Sequence, residues 1–439
     1  MNVMRTRVVV TVLALGAALS SISSISSMLH AQSDDATGKQ FVGKWPPPDK
    51  PGPFNVGVTT FSAVMSAGRI ARIQVYYPTV APSNCQTRYT ILTAVGTYQL
   101  RSPLCAAVDA RAAPGRFPLV VHDHGGAAAG ADFQRVSQLP LHETMASHGF
   151  VTVTALHSAN AVARVRDLSL VINTLLARSA TNGDALFDSI DPARVGISGF
   201  SAGGASAIGA AGGLAAIGIV ADPRIKAMVV YEPALLSLAD ASTIAVPYLV
   251  MGGQQSAIGV GVSTLFDATV VATPRIYVSS PNATHFNYLT GMCSEIDQTR
   301  EAALLTDPTI LDPLTFRTAT SAAAARAYDL WNMGEIFFPI LGSGAGSGRN
   351  ICTRVGVDSV RSLDTNPHDG FTDTPPFLAV DYFTLQPAIP EEIMVPMIKL
   401  YTIAFWKTFL EGDRQYMPYL TPGYAKLHNL EAVVEIRED

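Results

Sequence analysis

Residues 191–204, DPARVGISGFSAGG, constrain this chain more than any other stretch. They contain Gly199-Phe200-Ser201-Ala202-Gly203, a G-x-S-x-G match. In a chain with 35 glycines the pentapeptide alone is weak, and its context makes it strong. Residues 194–198 read as a short buried strand, and residues 202–216 are small, apolar and helix-compatible. A strand, a sharp turn bearing one serine and then a helix make a nucleophile elbow. So tight a turn strains the serine backbone, and its neighbours must lack side chains to avoid clashes. The turn also sets Ser201 and the next amide at a helix N-terminus, which favours developing negative charge. A bare glycine-rich turn is the rival reading, and it requires neither the strand nor the helix.

The chain around the elbow alternates strands with helices. Residues 118–122 form a buried strand run, followed by Asp123-His124-Gly125-Gly126. A helix over 139–148 and a strand over 150–155 come next. Residues 161–178 have helical period, with Leu168, Val171, Ile172 and Leu175 on one face. After the elbow come strands over 225–231, 246–251 and 275–279, and later an amphipathic helix over 395–410. Such alternation implies a mostly parallel sheet covered by helices on both faces, with ligands bound at the strand C-terminal ends. Ahead of this body, residues 56–64 and 69–78 alternate like a hairpin, and residues 89–98 look strand-like.

Length and composition bound the rest. A chain of 439 residues permits two or three domains, or one large domain with insertions. We divide it into a signal peptide (1–31), a linker or extended arm (32–54), an α/β body (55–290), an insertion placed to cap the site (291–390), and a C-terminal helix and tail (391–439). Arg5 and Arg7, the apolar run 8–19 and Leu29-His30-Ala31 have the order of a secretory signal. The expected location is therefore secreted or periplasmic, with no integral membrane segment once the signal is removed. The net charge of −5 argues against a nucleic-acid partner. Export permits disulfides among the four cysteines, which allow three pairings; in one of them Cys85–Cys105 and Cys293–Cys352 would each staple an excursion.

A serine nucleophile needs a base and an orienting acid. An elbow in a parallel sheet is the signature of the α/β-hydrolase fold, where the order along the chain is Ser, acid, His. Only His285, His368 and His428 follow Ser201. His285 lies just past the last strand of the body and is the expected base, with His368 the rival and His428 structural. The usual acid position, after the strand over 246–251, reads Gly252-Gly253-Gln254-Gln255-Ser256 and holds no carboxylate. Glu232, at the end of the preceding strand, is the favoured acid, with Asp240, Asp267 and an acid from the 291–390 insertion as alternatives. The backbone N–H groups of Gly126 and Ala202 are the expected oxyanion donors. His122-Asp123-His124 looks like a metal-binding fragment, but no matching cluster completes it, and a loop-shaping role is expected. Arg164 and Asp167 read as a helix-face ion pair. Asn282-Ala283-Thr284 matches a glycosylation sequon.

Several of these segments resemble a known group. FPLVVHDHGG, LHETMASHGFVTVTALH and VGISGFSAGG are similar to bacterial platelet-activating-factor acetylhydrolase-like and dienelactone-hydrolase-like α/β-hydrolases. AFWKTFLEGDRQY resembles the last helix of that group and of the related cutinase-type polyester hydrolases. The resemblance implies carboxylic ester hydrolysis with Ser201 and His285 in the family roles. The expectation is thus a secreted serine esterase acting on a small-molecule or lipid ester through an acyl-enzyme, with no cofactor and no metal. Two departures stand out: the acid missing after Met251, and the long segment between His285 and the final helix. A non-catalytic exported binding protein is the alternative class, and an amide or thioester hydrolase with the same triad is another.

Overall fold

The computed structural model describes residues 32–34, 40–42, 46–93, 96–125, 132–157, 160–234, 242–254, 256, 259–268, 274–281, 283, 285–290, 389 and 391–437. The signal-peptide reading, the 291–388 segment with Cys293, Cys352 and His368, and also Gly126, Asp240, Asn282 and Thr284 lie outside them.

In chain order the strands are β1 (Gln32–Asp34), β2 (Gln40–Val42), β3 (Asn55–Val64), β4 (Ile70–Thr79), β5 (Arg88–Thr93), β6 (Gly96–Arg101), β7 (Ala107–Val108), β8 (Phe117–Asp123), β9 (Val151–Ala155), β10 (Ile190–Phe200), β11 (Ile225–Tyr231), β12 (Tyr248–Gly253), β13 (Arg275–Ser280) and β14 (Val433–Arg437). The helices are α1 (Leu139–Ser147), α2 (Ala161–Ala180), α3 (Ala202–Gly212), α4 (Gly259–Ala268), α5 (Glu391–Phe409) and α6 (Pro422–Leu427). Among the described residues one sheet runs β14-β13-β12-β11-β10-β8-β9-β4-β3-β7. Its centre, from β9 through β8, β10, β11 and β12 to β13, is parallel. β14 closes one edge antiparallel to β13, and β4 and β3 extend the other. This is the α/β-hydrolase fold that the sequence suggested.

Both faces of the parallel strands are apolar because both are covered. Val120, Val229, Leu249 and Val278 point to one side, where they pack with Leu141 and Met145 of α1 and with Ile398, Phe405 and Trp406 of α5. Leu119, Val121, Ile197, Val230 and Val250 point to the other, against Leu168, Ile172 and Leu175 of α2, Ala207 of α3 and Leu265 of α4. Residues alternate between these two cores along each strand, as period-two geometry requires. α5 seats directly on the elbow strand: a Cβ at Gly196 would lie 2.6 Å from the Trp406 ring. Burial of that indole makes Trp406→Ala a loss of about 3–5 kcal/mol by the usual aromatic truncation cost.

Several local expectations change in detail. The residue 89–98 strand is instead a hairpin, β5 with β6. Part of the 32–54 arm pairs, β1 with β2, and its end is pinned where the Phe54 N–H donates to the Ser147 carbonyl at 3.0 Å. β14 and α4 carried no clear sequence signal. Cys85 and Cys105 are bonded, one of the pairings the sequence allowed, and so close the segment containing the β5–β6 hairpin. Glu143 of α1 holds that excursion from inside: its carboxylate accepts from Tyr89 Oη at 2.5 Å, Ser102 Oγ at 2.7 Å and the Leu104 N–H at 2.5 Å.

The order of strands reverses at β8. The chain passes from β8 to β9 on one side and later to β10 on the other. Connections leaving the C-terminal ends of β8 and β10 therefore diverge, and the crevice between them is where open α/β sheets bind ligands.

Candidate active site

Four parallel strands deliver the site through their register. Phe200 pairs with Tyr231, Tyr231 with Met251, and Gly253 with Ser280. Ser201 and Glu232 each stand one residue beyond a paired strand end, and His285 follows β13. The Ser201 N–H donates to the Tyr231 carbonyl at 2.9 Å, and the Glu232 N–H donates to the Met251 carbonyl at 2.8 Å. The Ala234 N–H returns to the Ser201 carbonyl at 3.0 Å, which ties the two strand exits together.

The elbow has the strained backbone its sequence implied. Ser201 has φ 55 and ψ −118, and α3 starts at the next residue. Positive φ at a non-glycine costs of order 1–3 kcal/mol and persists only where the surroundings enforce it. The glycines are required by contact. A Cβ at Gly199 would lie 2.2 Å from the Gly203 carbonyl oxygen, and one at Gly203 would lie 2.2 Å from that of Asp123. The elbow backbone therefore touches the end of β8. Ala202, the expected oxyanion donor, is the first residue of α3.

Glu232 is a second strained residue, with φ 46, and it is fully buried. Its Oε1 accepts from the Gly253 N–H, and its Oε2 accepts from Ser256 Oγ at 2.6 Å. The same Oε2 faces His285 Nδ1 at 3.3 Å. A buried carboxylate needs such partners, because an unpaired charge in the interior is costly. Gly253 and Ser256 come from the loop after β12, the position where an acid was expected and is missing. That loop supplies donors to a carboxylate entering from β11. Sequence reading overlooked both donors: a small residue and a hydroxyl in a carboxylate-free loop are too common to stand out.

The His285 ring is buried and packs on Phe200, with centroids 4.8 Å apart. Phe200 is buried too, and a Cβ at Gly125 would lie 2.5 Å from its ring and 3.4 Å from Ser201 Cβ. Phe200 thus fills the space between the base and the loop after β8.

The other candidates lie elsewhere. Asp267 is exposed on α4 and pairs with Arg437 Nη2 at 2.8 Å. His428 caps α6 and stacks on Tyr424, with centroids 4.1 Å apart. Arg164 and Asp167 do not form the expected helix-face pair. Arg164 turns to Asp123 on β8, whereas Asp167 takes Arg69 at 2.7 Å and Ser66 Oγ at 2.6 Å. Burial would raise the Asp123 carboxyl, but Arg164, with His157 and His124 beside it, holds it well below the usual carboxylate range. Burial and the Arg164 charge push His124 down to about 3, so it is neutral at physiological pH. No group of three or more His, Cys, Asp or Glu among the described residues is arranged to hold a metal ion.

Residues 134–298 match the PET hydrolase-like family model. The match covers less than half of the chain but includes the elbow, Glu232 and His285. It supports an α/β hydrolase of the cutinase and polyester-hydrolase type, which is one part of the resemblance noted in the sequence. No curated protein matches the chain.

Proposed function

We propose that the protein is an exported serine esterase, with Ser201 as nucleophile, His285 as base and Glu232 as the acid that orients it. The observation that carries this reading is the Glu232 carboxylate. It is held by Gly253 and Ser256, it faces His285 Nδ1 at 3.3 Å, and it leaves the strand next to the one that ends in Ser201. An ionised carboxylate only accepts, so it selects the tautomer of His285 with the proton on Nδ1. Nε2 is then the basic nitrogen.

In this reading Nε2 takes the Ser201 proton as Oγ attacks the ester carbonyl. The tetrahedral oxyanion is met by the Ala202 N–H, at the positive end of α3, and by the Gly126 N–H. Collapse expels the alcohol, which leaves with the proton from His285. Water, deprotonated by the same histidine, then releases the acid from Ser201 and restores the enzyme.

The PET hydrolase-like match supports an ester as substrate. The 15% charged composition favours an apolar acyl or aromatic ester. Export is supported by the signal-like N-terminus and by the Cys85–Cys105 disulfide. No helix among the described residues is long and apolar enough to cross a membrane.

Hydrolysis of p-nitrophenyl acetate and butyrate tests the reading. Ser201→Ala and His285→Ala are each expected to lower kcat by at least about a thousandfold. Turnover unchanged in Ser201→Ala sinks the assignment.

A further inference from the structure

The loop after β8 is held by a buried network that the triad does not use. Arg164 enters from the first turn of α2, whose start is fixed where Asn160 Oδ1 accepts from the Ala163 N–H at 3.0 Å. The guanidinium is buried, and it binds Asp123 with two bonds: Nη2 to Oδ1 at 2.6 Å and Nε to Oδ2 at 3.1 Å. Nη2 also donates to the His124 carbonyl. The His124 ring continues the chain of contacts. Its Nε2 accepts from the His157 N–H at 3.0 Å, so the ring proton resides on Nδ1. Nδ1 donates to the Gly125 carbonyl at 2.8 Å.

These residues lie against the elbow: a Cβ on Gly203 would come within 2.2 Å of the Asp123 carbonyl oxygen, and one on Gly125 within 3.4 Å of Ser201 Cβ.

We propose that Arg164 is a positioning residue for ester hydrolysis: by clamping Asp123 and the His124 carbonyl it holds the end of β8 and Gly125 against the elbow, and so fixes the place of Ser201. This rests on the serine-esterase reading. A purely stabilising role accounts for it poorly. A buried ion pair is often no better for stability than well-packed apolar side chains. Here the planar fork bonds two consecutive residues, Asp123 at the end of β8 and His124 just after it, beside the Ser201 elbow. Lysine carries the charge without the fork, so it cannot hold both groups in the same geometry.

The test compares wild type, Arg164→Lys and Arg164→Ala, each titrated with a serine-directed phosphonate to count competent sites. Turnover of p-nitrophenyl butyrate is then expressed per titrated site. Misplacing a reacting group by about 1 Å costs on the order of 100-fold, so a shifted elbow is expected to lower kcat per site in Arg164→Lys by roughly 10–100-fold, with KM within a factor of two. Added guanidinium ion is expected to restore part of the turnover per site in Arg164→Ala. A structural role instead lowers the number of titratable sites and leaves turnover per site unchanged. That result, in a wild type that labels normally, overturns this proposal alone. A wild type that takes up no phosphonate at Ser201 removes the esterase reading, and this proposal with it.

Discussion

Ser256 Oγ donates to Glu232 Oε2 at 2.6 Å, and that same oxygen faces His285 Nδ1 at 3.3 Å. One carboxylate oxygen thus meets both a fixed hydroxyl and the candidate base. The loop after β12, which holds no acid of its own, instead braces an acid from the neighbouring strand. Ser256→Ala removes a hydrogen bond to a charged group, worth about 1.5–3 kcal/mol where it is fully expressed. Kcat for p-nitrophenyl butyrate is expected to fall by about tenfold with KM little changed, because the carboxylate loses its bracing without losing its charge. Kinetics indistinguishable from wild type would show that the Gly253 amide holds Glu232 by itself.

Glu232→Gln keeps the side-chain shape and removes the charge that selects the His285 tautomer. The loss expected in kcat is about ten-thousandfold, by analogy with removal of the orienting charge from other triads. The pH–rate profile of wild type and variant, with folding checked by near-UV circular dichroism, measures it. A variant within tenfold of wild type would transfer the acid role to another residue.

Acid should unfold this protein through its histidines. Burial is the main force that lowers His122 and His124 to about 3 and His148 to about 4, and it lowers His142 in the same direction. In the unfolded chain each takes up its proton near 6.5. Below that value the unfolded state binds more protons, so stability is complete above about pH 6.5 and is lost as pH falls toward the folded values. Each histidine contributes a slope of about 1.4 kcal/mol per pH unit across that window. Asp123 and Asp167, both held low in the fold, add to the loss below about pH 4. Glu143 and Glu411, which burial raises, oppose it. Urea midpoints read by tryptophan fluorescence are therefore expected to be flat from pH 8 to 7 and to drop steeply between 6 and 4. A midpoint constant down to pH 5 would contradict the buried neutral state of these rings.

Gly203→Ala should act at the junction of elbow and β8. Its Cβ would lie 2.2 Å from the Asp123 carbonyl oxygen, a backbone atom that cannot swing away. Overpacking of this kind costs about 1–3 kcal/mol, and more where backbone must move. A lower guanidinium midpoint together with a large fall in kcat is expected. A variant as stable and active as wild type would mean that the elbow and the β8 loop are further apart than described.

What was legible in the sequence follows from how local each signal is. The Ser201 elbow is local: strand, glycines and helix are contiguous, and the structure reproduces all three. The parallel strands were legible as apolar runs because both sheet faces are buried, as with Leu119 and Val120 on opposite cores. Glu232 could be singled out as a carboxylate at a strand end, but its donors Gly253 and Ser256 come from a loop of unremarkable composition. The Arg164–Asp123 pair spans 41 residues, and nothing in the spacing of Arg164 and Asp167 indicates that each turns to a different partner. β14 was missed because an edge strand has a weak pattern: Val434 is buried beside exposed Val433 and Glu435.

Incubation with a fluorophosphonate, followed by intact mass and peptide mapping, tests whether Ser201 is the nucleophile of an ester hydrolase. A nucleophilic Ser201 gives one phosphonyl adduct per chain, located on Ser201, abolished in Ser201→Ala and strongly slowed in His285→Ala. An unlabelled wild type, or equal labelling of wild type and Ser201→Ala, would contradict it.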